Sequence, residues 1–163
     1  GVDILVQSFQ LLTTPNVHLV VAGSDMGGLF SAKQLAKGHP HIHFVDTISG
    51  SERLQALSVA DLVVYPSKDE IFGLVPFEAL LSGTTVVVSD DCGCGEIIKE
   101  AEAGSVIPYG DVIRLTEEID SLLSTPDRCR AMVTRGQQYI KEHLSFDVVA
   151  KQHSDLYHHL RAS

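Results

Sequence analysis

Short apolar runs alternate with amphipathic stretches along almost all of this 163-residue chain. Apolar runs rich in β-branched residues are typical of buried strands, whereas apolar residues three or four positions apart are typical of helices. Strands are predicted at residues 17–22, 42–45, 62–65, 85–89 and 104–107, and a predicted helix follows each of them. This alternation predicts a three-layer α/β fold, in which a Rossmann-like parallel sheet is flanked by helices.

The length and composition of the chain fit a single globular domain that spans residues 1–163. The formal net charge is −9 and the basic residues are not clustered, which argues against nucleic acid and an anionic membrane surface as partners. No apolar run approaches the roughly 20 residues of a membrane-spanning helix. Three cysteines without regular spacing are typical of a reducing compartment, so we expect a cytoplasmic protein, with peripheral membrane attachment of the full-length form left open.

Residues 61–96 carry the most specific pattern of the chain. A predicted strand is followed by a polar loop, and then by a helix that begins near Pro76 and stops at Gly83 before the next strand. Glu70 lies on the loop just beyond the first strand, and Glu78 lies about one turn into the helix. In open α/β sheets ligands bind beyond the carboxyl ends of the strands, so both carboxylates are candidates for a binding site.

The backbone between these two glutamates is suited to direct contact with a bound group. Gly73 permits a close approach of the main chain. The N–H groups of residues 72–75, near the start of the helix, are expected to be free to bind a phosphate or a sugar hydroxyl. Two carboxylates that flank free N–H groups would bind the hydroxyls and the phosphate of one ligand. The pattern therefore favours a nucleotide-sugar site over a plain phosphate site.

The same residues resemble a family signature. In group 1 (family-four) retaining glycosyltransferases the donor-site motif contains two glutamates separated by seven residues, as Glu70 and Glu78 are. The strand–loop–helix context that the motif requires is also predicted here. The matching residues are Pro66-Ser67, Glu70-Ile71-Phe72-Gly73-Leu74, Glu78-Ala79, Gly83 and Val86-Val87. From residue 1 to about residue 160, the chain resembles the C-terminal, donor-binding half of a GT-B fold.

The resemblance implies a role for each part of the motif. Glu70 would be the catalytic carboxylate, facing the hydroxyls of the donor hexose, and Glu78 would bind the ribose hydroxyls of the nucleotide. The backbone that would hold the sugar and the diphosphate belongs to Phe72, Gly73, Leu74 and Val75. The resemblance thus places the whole donor between one loop and the helix that follows it.

Two further positions are implied near the first two predicted strands. Gly23 begins a glycine-rich turn that would lie close to the donor diphosphate, although a plain strand-to-helix connection explains such a turn equally well. Ile48 would offer backbone groups to the nucleotide base. Asp46 stands where the family usually has glycine, which leaves recognition of the base open.

The resemblance implies that the full-length enzyme transfers a hexose from a nucleotide-sugar donor, such as a UDP-, GDP- or ADP-hexose, to an acceptor hydroxyl with retention of configuration. No cofactor and no metal are expected, because N–H groups and cationic side chains would offset the phosphate charge. The acceptor site would lie in an N-terminal GT-B domain, and a central strand and the phosphate-binding lysine would precede residue 1. We therefore expect a gap or a borrowed strand in the sheet, and weak donor binding without activity for this chain alone.

Two other functions stay open at this point. The first is half of a nucleotide-sugar epimerase with the same two-domain architecture, which would share the pocket but use other acid and base residues. The second is a non-catalytic binding module of glycosyltransferase origin. The glutamate pair with Phe72, Gly73 and Leu74 between its members favours transfer over both.

Histidines and cysteines raise the question of a metal site. His39, His41 and His43 alternate, and residues two apart share one face of a strand. No fourth ligand is evident nearby, so two loop histidines and one strand histidine are the preferred interpretation. Cys92 and Cys94 are compatible with metal binding or a strained disulfide, but two reduced thiols packed by the turn are favoured, and no metal is assigned.

Overall fold

The computed structural model describes residues 1–162 and has a mixed α/β fold of parallel sheets flanked by helices. Four of the strands have the predicted bounds, whereas the first begins two residues later than predicted. The strands are β1 (Leu19–Ala22), β2 (Ile42–Val45), β3 (Leu62–Tyr65), β4 (Thr85–Ser89) and β5 (Gly104–Ile107). The helices are α1 (Val2–Phe9), α2 (Leu29–Leu35), α3 (Gly50–Val59), α4 (Val75–Leu81), α5 (Gly93–Glu100), α6 (Val112–Leu123), α7 (Pro126–His143) and α8 (Phe146–Ala162).

All pairing between these strands is parallel, but it is not continuous. β1 pairs with β2, with Leu19 opposite Ile42. β4 is the central strand of a separate sheet of three, in which β3 and β5 are its two neighbours. Within residues 1–162 no hydrogen-bonded ladder joins β1 to β3. Continuous pairing of all five strands would have contradicted the gap that the sequence analysis expects in the sheet. That a further strand fills this gap stays a prediction.

Helix α1 packs against both sheets. Leu5 lies in an apolar cluster with Val64 of β3 and Val87 of β4. The next residue, Val6, lies in a second cluster with Ile42 of β2. Both side chains are buried, so this one helix contributes to the core on either side of the interruption. α1 therefore fixes the two sheets relative to each other by apolar burial rather than by strand pairing.

The main core surrounds β4, whose five residues are all buried. Successive strand residues point to opposite faces of a sheet, so β4 contributes to two layers. Val86 and Val88 lie in a cluster with Leu80 of α4 and Ile98 of α5. Val87 lies in the cluster that contains Leu115 of α6. The helices α4 and α5, which carry or border the predicted site, are thus anchored to the most deeply buried strand.

Some expectations about burial are wrong. The apolar spacing at the start of the chain predicts Leu11 on the apolar face of the first helix, but Leu11 is exposed because α1 ends at Phe9. The spacing of Leu54, Leu57 and Ala60 predicts an inward face for the third helix. None of the side chains of α3 is fully buried, because this helix lies on the surface beside α4. The strand β3 was expected to be buried and is only half-buried, because its edge toward β1 is open.

Asp120 of α6 ties the chain that follows α1 to the rest of the domain. Its two carboxylate oxygens accept hydrogen bonds from the backbone N–H and the hydroxyl of both Thr13 and Thr14, at 2.6–3.0 Å. Burial acts to raise the pKa of Asp120, but these hydrogen bonds outweigh it and lower the pKa to about 2. The connection between α1 and β1 is therefore held by a charge-assisted network.

The last helix presents an uncovered apolar face. The apolar spacing at the end of the sequence predicts Leu156, Tyr157 and Leu160 on or near one face of a helix. All three lie on α8, and all three are exposed. Exposed apolar side chains on a helix mark a surface that another structure can cover. Within residues 1–162, no helix, α8 included, has the length and apolar character needed to cross a membrane.

Candidate functional site

The two glutamates of the motif lie at the carboxyl end of the three-stranded sheet. Glu70 lies on the loop that follows β3 and forms an isolated parallel bridge with Cys92, which follows β4. The hydroxyl of Ser89, at the end of β4, donates a hydrogen bond to the Ser67 carbonyl on the same loop. The loops after two adjacent strands are therefore joined into one site, at the edge where α/β sheets bind ligands.

The first residues of helix α5 donate backbone hydrogen bonds to the loop that carries Glu70. The first backbone N–H of the helix, from Gly93, donates to the Glu70 carbonyl at 3.0 Å, and the Cys94 N–H donates to the Phe72 carbonyl at 2.7 Å. A Cβ added to Gly93 would lie 2.0 Å from the Ile71 carbonyl oxygen, so only glycine permits this approach. Gly93 and Gly95 in the sequence predict a glycine-rich loop over residues 90–96. That prediction is wrong for the residues from Gly93 onward, because the neighbouring loop satisfies the N–H groups of a helix start.

The side chain of Glu70 is half-buried and is held by Tyr65. The Tyr65 hydroxyl donates to Glu70 Oε2 at 3.1 Å. Burial, followed by the hydrogen bond and the negative charge of Glu70, raises the pKa of Tyr65 to about 12. The phenol therefore stays protonated at neutral pH and remains a donor. It fixes one oxygen of a carboxylate whose other oxygen, Oε1, lies 3.5 Å from the Phe72 N–H.

The backbone between the glutamates adopts a conformation that requires glycine. Gly73 has a φ of +79°, and a Cβ there would lie 2.9 Å from the Tyr65 ring. Within residues 1–162, no hydrogen bond is donated by the N–H groups of Gly73, Leu74 and Val75, and no side chain caps the start of α4. The N–H of Phe72 was also expected to be free, but it points at the carboxylate of Glu70.

Glu78 of α4 is held by a residue that the sequence analysis did not single out. Arg53 of α3 donates from Nη2 to Glu78 Oε1 at 2.8 Å. Oε2 of the same carboxylate is buried, and no hydrogen-bond partner for it exists within the described residues. A carboxylate has about four acceptor positions, so most of the acceptor capacity of Glu78 is unused. Its side chain is 25% exposed, which leaves part of it accessible to a ligand.

The remaining predicted site residues lie at the carboxyl ends of the two-stranded sheet. Gly23 follows β1 and lines a cavity of about 440 Å³ together with Lys33 and Asp46. Ile48 lies on the loop between β2 and α3, two residues before the start of the helix that carries Arg53. No hydrogen bond within residues 1–162 joins Gly23 or Ile48 to either glutamate.

The glycine-rich turn after β1 is stabilised by its own aspartate. Asp25 Oδ1 accepts hydrogen bonds from the N–H groups of Gly27 at 2.7 Å and Leu29 at 3.2 Å. These are the groups at the entrance of α2 that a phosphate would otherwise bind. The turn therefore has the hydrogen bonding of a strand-to-helix connection, and a role of Gly23 in diphosphate binding stays a prediction.

Cation density at the site is low. Lys68 lies on the loop of Glu70, but its Nζ sits 5.9 Å from the centre of the Tyr109 ring. A larger surface cavity, of about 520 Å³, contains Lys99, Arg114 and Arg135, but it lies at the free edge of β5 and includes no residue of the motif. Neither arrangement directs a cation at the free N–H groups beside Gly73.

The thiols beside the site are reduced, as predicted. Cys92 and Cys94 are buried and unbridged, with their sulfur atoms 3.2 Å apart, and the Cys92 thiol donates to the Ser89 carbonyl at 2.9 Å. Burial, followed by the contact with Cys92, raises the pKa of the Cys94 thiol. Both thiols are packing groups beneath the loop of Glu70.

The alternating histidines occupy the predicted places. His39 and His41 lie before β2, and His43 lies on that strand. A fourth ring, His18, stacks on His41 at 4.4 Å, and its Nδ1 lies 3.0 Å from Nε2 of His43. These two nitrogens face each other directly. Among residues 1–162, no group of three or more His, Cys, Asp or Glu side chains is arranged to hold a metal ion.

Known proteins share both the sequence and the fold of this chain. The family model described as "Glycosyl transferases group 1" matches residues 1–139, which include both glutamates. An uncharacterized glycosyltransferase of Methanocaldococcus jannaschii is 31% identical over 160 residues, covering 96% of this chain and 41% of that protein.

Solved structures show the same architecture. The sucrose-phosphate synthase of Thermosynechococcus elongatus superposes with a TM-score of 0.83 at 27% identity, covering 99% of this chain and 42% of the other. HepE of Anabaena, solved in complex with UDP-glucose, superposes with a TM-score of 0.81 at 20% identity, covering 100% of this chain and 45% of the other. The chain spans between 32% and 41% of the length of three curated relatives that it matches.

Proposed function

We propose that this chain, which belongs to the group 1 glycosyltransferase family, is the donor-binding half of a retaining enzyme that transfers a hexose from a nucleotide sugar to an acceptor hydroxyl. The match of the family model across the whole motif supports the activity, and HepE, whose fold is similar, was solved with UDP-glucose. Because the M. jannaschii relative is more than twice as long as this chain, we place the acceptor site in a second domain outside residues 1–163.

The observation that carries this proposal is the pairing of unused acceptors with unused donors on one loop and helix. Glu78 has a buried oxygen without a hydrogen-bond partner, and such an atom costs about 1–3 kcal/mol while it stays unsatisfied. The N–H groups of Gly73, Leu74 and Val75 are unused as well. A nucleotide sugar complements this arrangement: its ribose hydroxyls can donate to the remaining lone pair of Glu78 Oε1, beside Arg53, and its diphosphate oxygens can accept from the N–H groups.

In the proposed reaction, Glu70 accepts hydrogen bonds from hydroxyls of the donor hexose, and Tyr65 keeps its carboxylate in place. The bond between the anomeric carbon and the diphosphate oxygen breaks while the acceptor oxygen bonds to that carbon from the same face. The proton of the acceptor hydroxyl passes to the departing diphosphate oxygen, so that no side chain of this loop forms a covalent intermediate. Catalysis then consists of positioning and of electrostatic stabilisation of the leaving group. Since Lys68 is directed at Tyr109, this chain supplies little of the positive charge, and we expect weak donor binding and no turnover by this chain alone.

Calorimetric titration of the 163-residue chain with UDP, GDP, ADP and their hexose conjugates tests the proposal. We expect one nucleotide to bind, and Glu78→Ala to weaken that binding about tenfold to a hundredfold, the value of hydrogen bonds to a charged group. Glu117→Ala is the matched control, because Glu117 is exposed on α6, and its affinity should equal that of the unchanged chain.

Each result of these measurements tests a different part of the proposal. Equal affinity of Glu78→Ala and the unchanged chain would refute the assignment of the ribose site. Turnover of a nucleotide sugar by residues 1–163 would refute the need for a second domain. If neither this chain nor a version extended toward its amino end bound any of the nucleotides, donor binding itself would be excluded. Interconversion of the sugar without transfer, by the full-length protein, would instead identify an epimerase.

A further inference from the structure

Arg53 makes the one hydrogen bond that the carboxylate of Glu78 receives within residues 1–162. The bond joins Nη2 of Arg53, in the first half of α3, to Oε1 of Glu78 at 2.8 Å. The other carboxylate oxygen has no partner. The final torsion of a glutamate is soft, so a carboxylate without hydrogen bonds would turn freely. Its orientation in this protein is therefore set by Arg53.

The buried oxygen shows that this orientation is imposed. A carboxylate that was free to choose would turn both oxygens toward water or toward N–H groups, because a buried acceptor without a donor is unfavourable. In Glu78, Oε2 is buried and unsatisfied while Oε1 is bound to Arg53. An oxygen that accepts one hydrogen bond from arginine keeps a further lone pair, so Oε1 can accept a second donor at the same time.

We propose that Arg53 is a positioning residue for the nucleotide sugar: it holds the Glu78 carboxylate in the orientation that receives a ribose hydroxyl. This inference rests on the proposed function, since it deepens the role of the same glutamate. It adds a residue from a different helix, outside the motif, to the determinants of nucleotide recognition. It also makes recognition of ribose dependent on the position of α3, whose entrance carries Ile48.

A purely structural role is the competing explanation, and the attachment of α3 argues against it. The carboxyl end of this helix is held independently, because the Thr84 hydroxyl donates to the Leu57 carbonyl at 2.6 Å and lies 3.3 Å from the Ala60 carbonyl. Leu57 also packs against the main core cluster. The Arg53 side chain is 45% exposed, and ion pairs at such exposure contribute little to folding. Arg53 is thus not needed to keep the helix on the domain.

The test compares ribose and deoxyribose ligands in Arg53 variants. Calorimetry would measure UDP, GDP and ADP, and the 2′-deoxy and 3′-deoxy forms of the nucleotide that binds most tightly. We expect Arg53→Met to lower the affinity for the ribonucleotide about tenfold and to bring the ratio of ribo to deoxy affinity toward one. Arg53→Lys should lie between Arg53→Met and the unchanged chain. Arg114→Met, which changes an exposed arginine on α6, is the matched control and should keep the full ratio.

The ratio of affinities distinguishes positioning from a structural role. A merely structural arginine would weaken both ligands equally and leave the ratio unchanged, which would overturn the inference. Stronger ribonucleotide binding by Arg53→Met would show that Arg53 blocks the carboxylate, and would also overturn it. If Arg53→Met failed to fold, the ratio for Arg53→Lys would decide. The proposed function fails separately, when Glu78→Ala keeps the ribo preference of the unchanged chain.

Discussion

Replacing Gly93 with alanine is expected to detach the loop of Glu70 from helix α5. The added Cβ would lie 2.0 Å from the Ile71 carbonyl oxygen, whereas ordinary contacts begin at 3.4 Å. Because the obstructing atom belongs to the backbone, the loop or the helix must move by the difference, about 1.4 Å. A movement of this size breaks the hydrogen bonds that Gly93 and Cys94 donate to the loop, now 3.0 and 2.7 Å long.

The expected magnitude follows from two opposing contributions. Loss of two backbone hydrogen bonds costs about 1–3 kcal/mol in total, at about 0.5–1.5 kcal/mol for each bond. Alanine is better than glycine in a helix by about 0.5–1 kcal/mol, which offsets part of the loss. The difference between the midpoints of these two ranges is about 1 kcal/mol, so we expect Gly93→Ala to lower the free energy of unfolding by roughly that amount. We also expect it to weaken nucleotide-sugar binding, because Glu70 and the N–H groups beside Gly73 move with the loop.

Urea unfolding followed by circular dichroism measures the first effect, and calorimetric titration measures the second. Gly28→Ala is the matched control, because Gly28 has a negative φ and an added Cβ would meet no atom within 4 Å. Its free energy of unfolding should stay within about 0.5 kcal/mol of the unchanged chain. The reasoning would be refuted if Gly93→Ala unfolded at the same urea concentration as this control and bound nucleotide as tightly as the unchanged chain.

Two further predictions follow from shifted pKa values, and a third follows from the burial of two thiols. The pKa of Tyr65 is raised from 10.0 to about 12, so its contribution to stability should be complete below pH 10 and lost as the pH rises toward 12. In a plot of the urea midpoint of unfolding against pH, Tyr65→Phe should flatten the region between pH 10 and about 12. Since the pKa of Asp120 is lowered from 3.8 to about 2, its contribution should be present above pH 4 and lost as the pH falls toward 2, and Asp120→Asn should remove this dependence. Iodoacetamide at pH 8 should label Cys129 in the native protein, while the buried Cys92 and Cys94 should react only after unfolding; native labelling of Cys94, whose pKa is raised, would contradict its burial.

The elements and the motif were predictable because they depend on residues close together in the sequence. The β-branched run of β4 and the punctuation by Gly83 indicate a strand and the end of a helix without any distant information. Gly73 was singled out as a place where the main chain can approach a bound group, and its φ of +79° is a second reason for glycine that the structure adds. The family motif could likewise be recognised from the sequence, because nearly all of its residues lie within one strand–loop–helix unit.

The start of α5 was missed for a reason that also applies elsewhere. Glycine is a poor helix former, so Gly93 and Gly95 indicated a loop. The helix nevertheless begins at Gly93, because the carbonyls of Glu70 and Phe72 accept its first N–H groups. No signal in residues 90–96 reveals that another loop lies there. A local propensity was overridden by hydrogen bonds from residues more than twenty positions away.

The sequence by itself determined the order of strands and helices, the family, and the two glutamates of the proposed donor site. The tertiary structure alone decided how those glutamates are held: Tyr65 on Glu70, and Arg53 on Glu78. Arg53 and Glu78 are 25 residues apart, so no periodicity links them. They meet because α3 lies beside α4, and that arrangement comes from burial around β4, to which the whole chain contributes. Strand and helix signals are local, whereas the partners of a charged side chain depend on how complete elements pack.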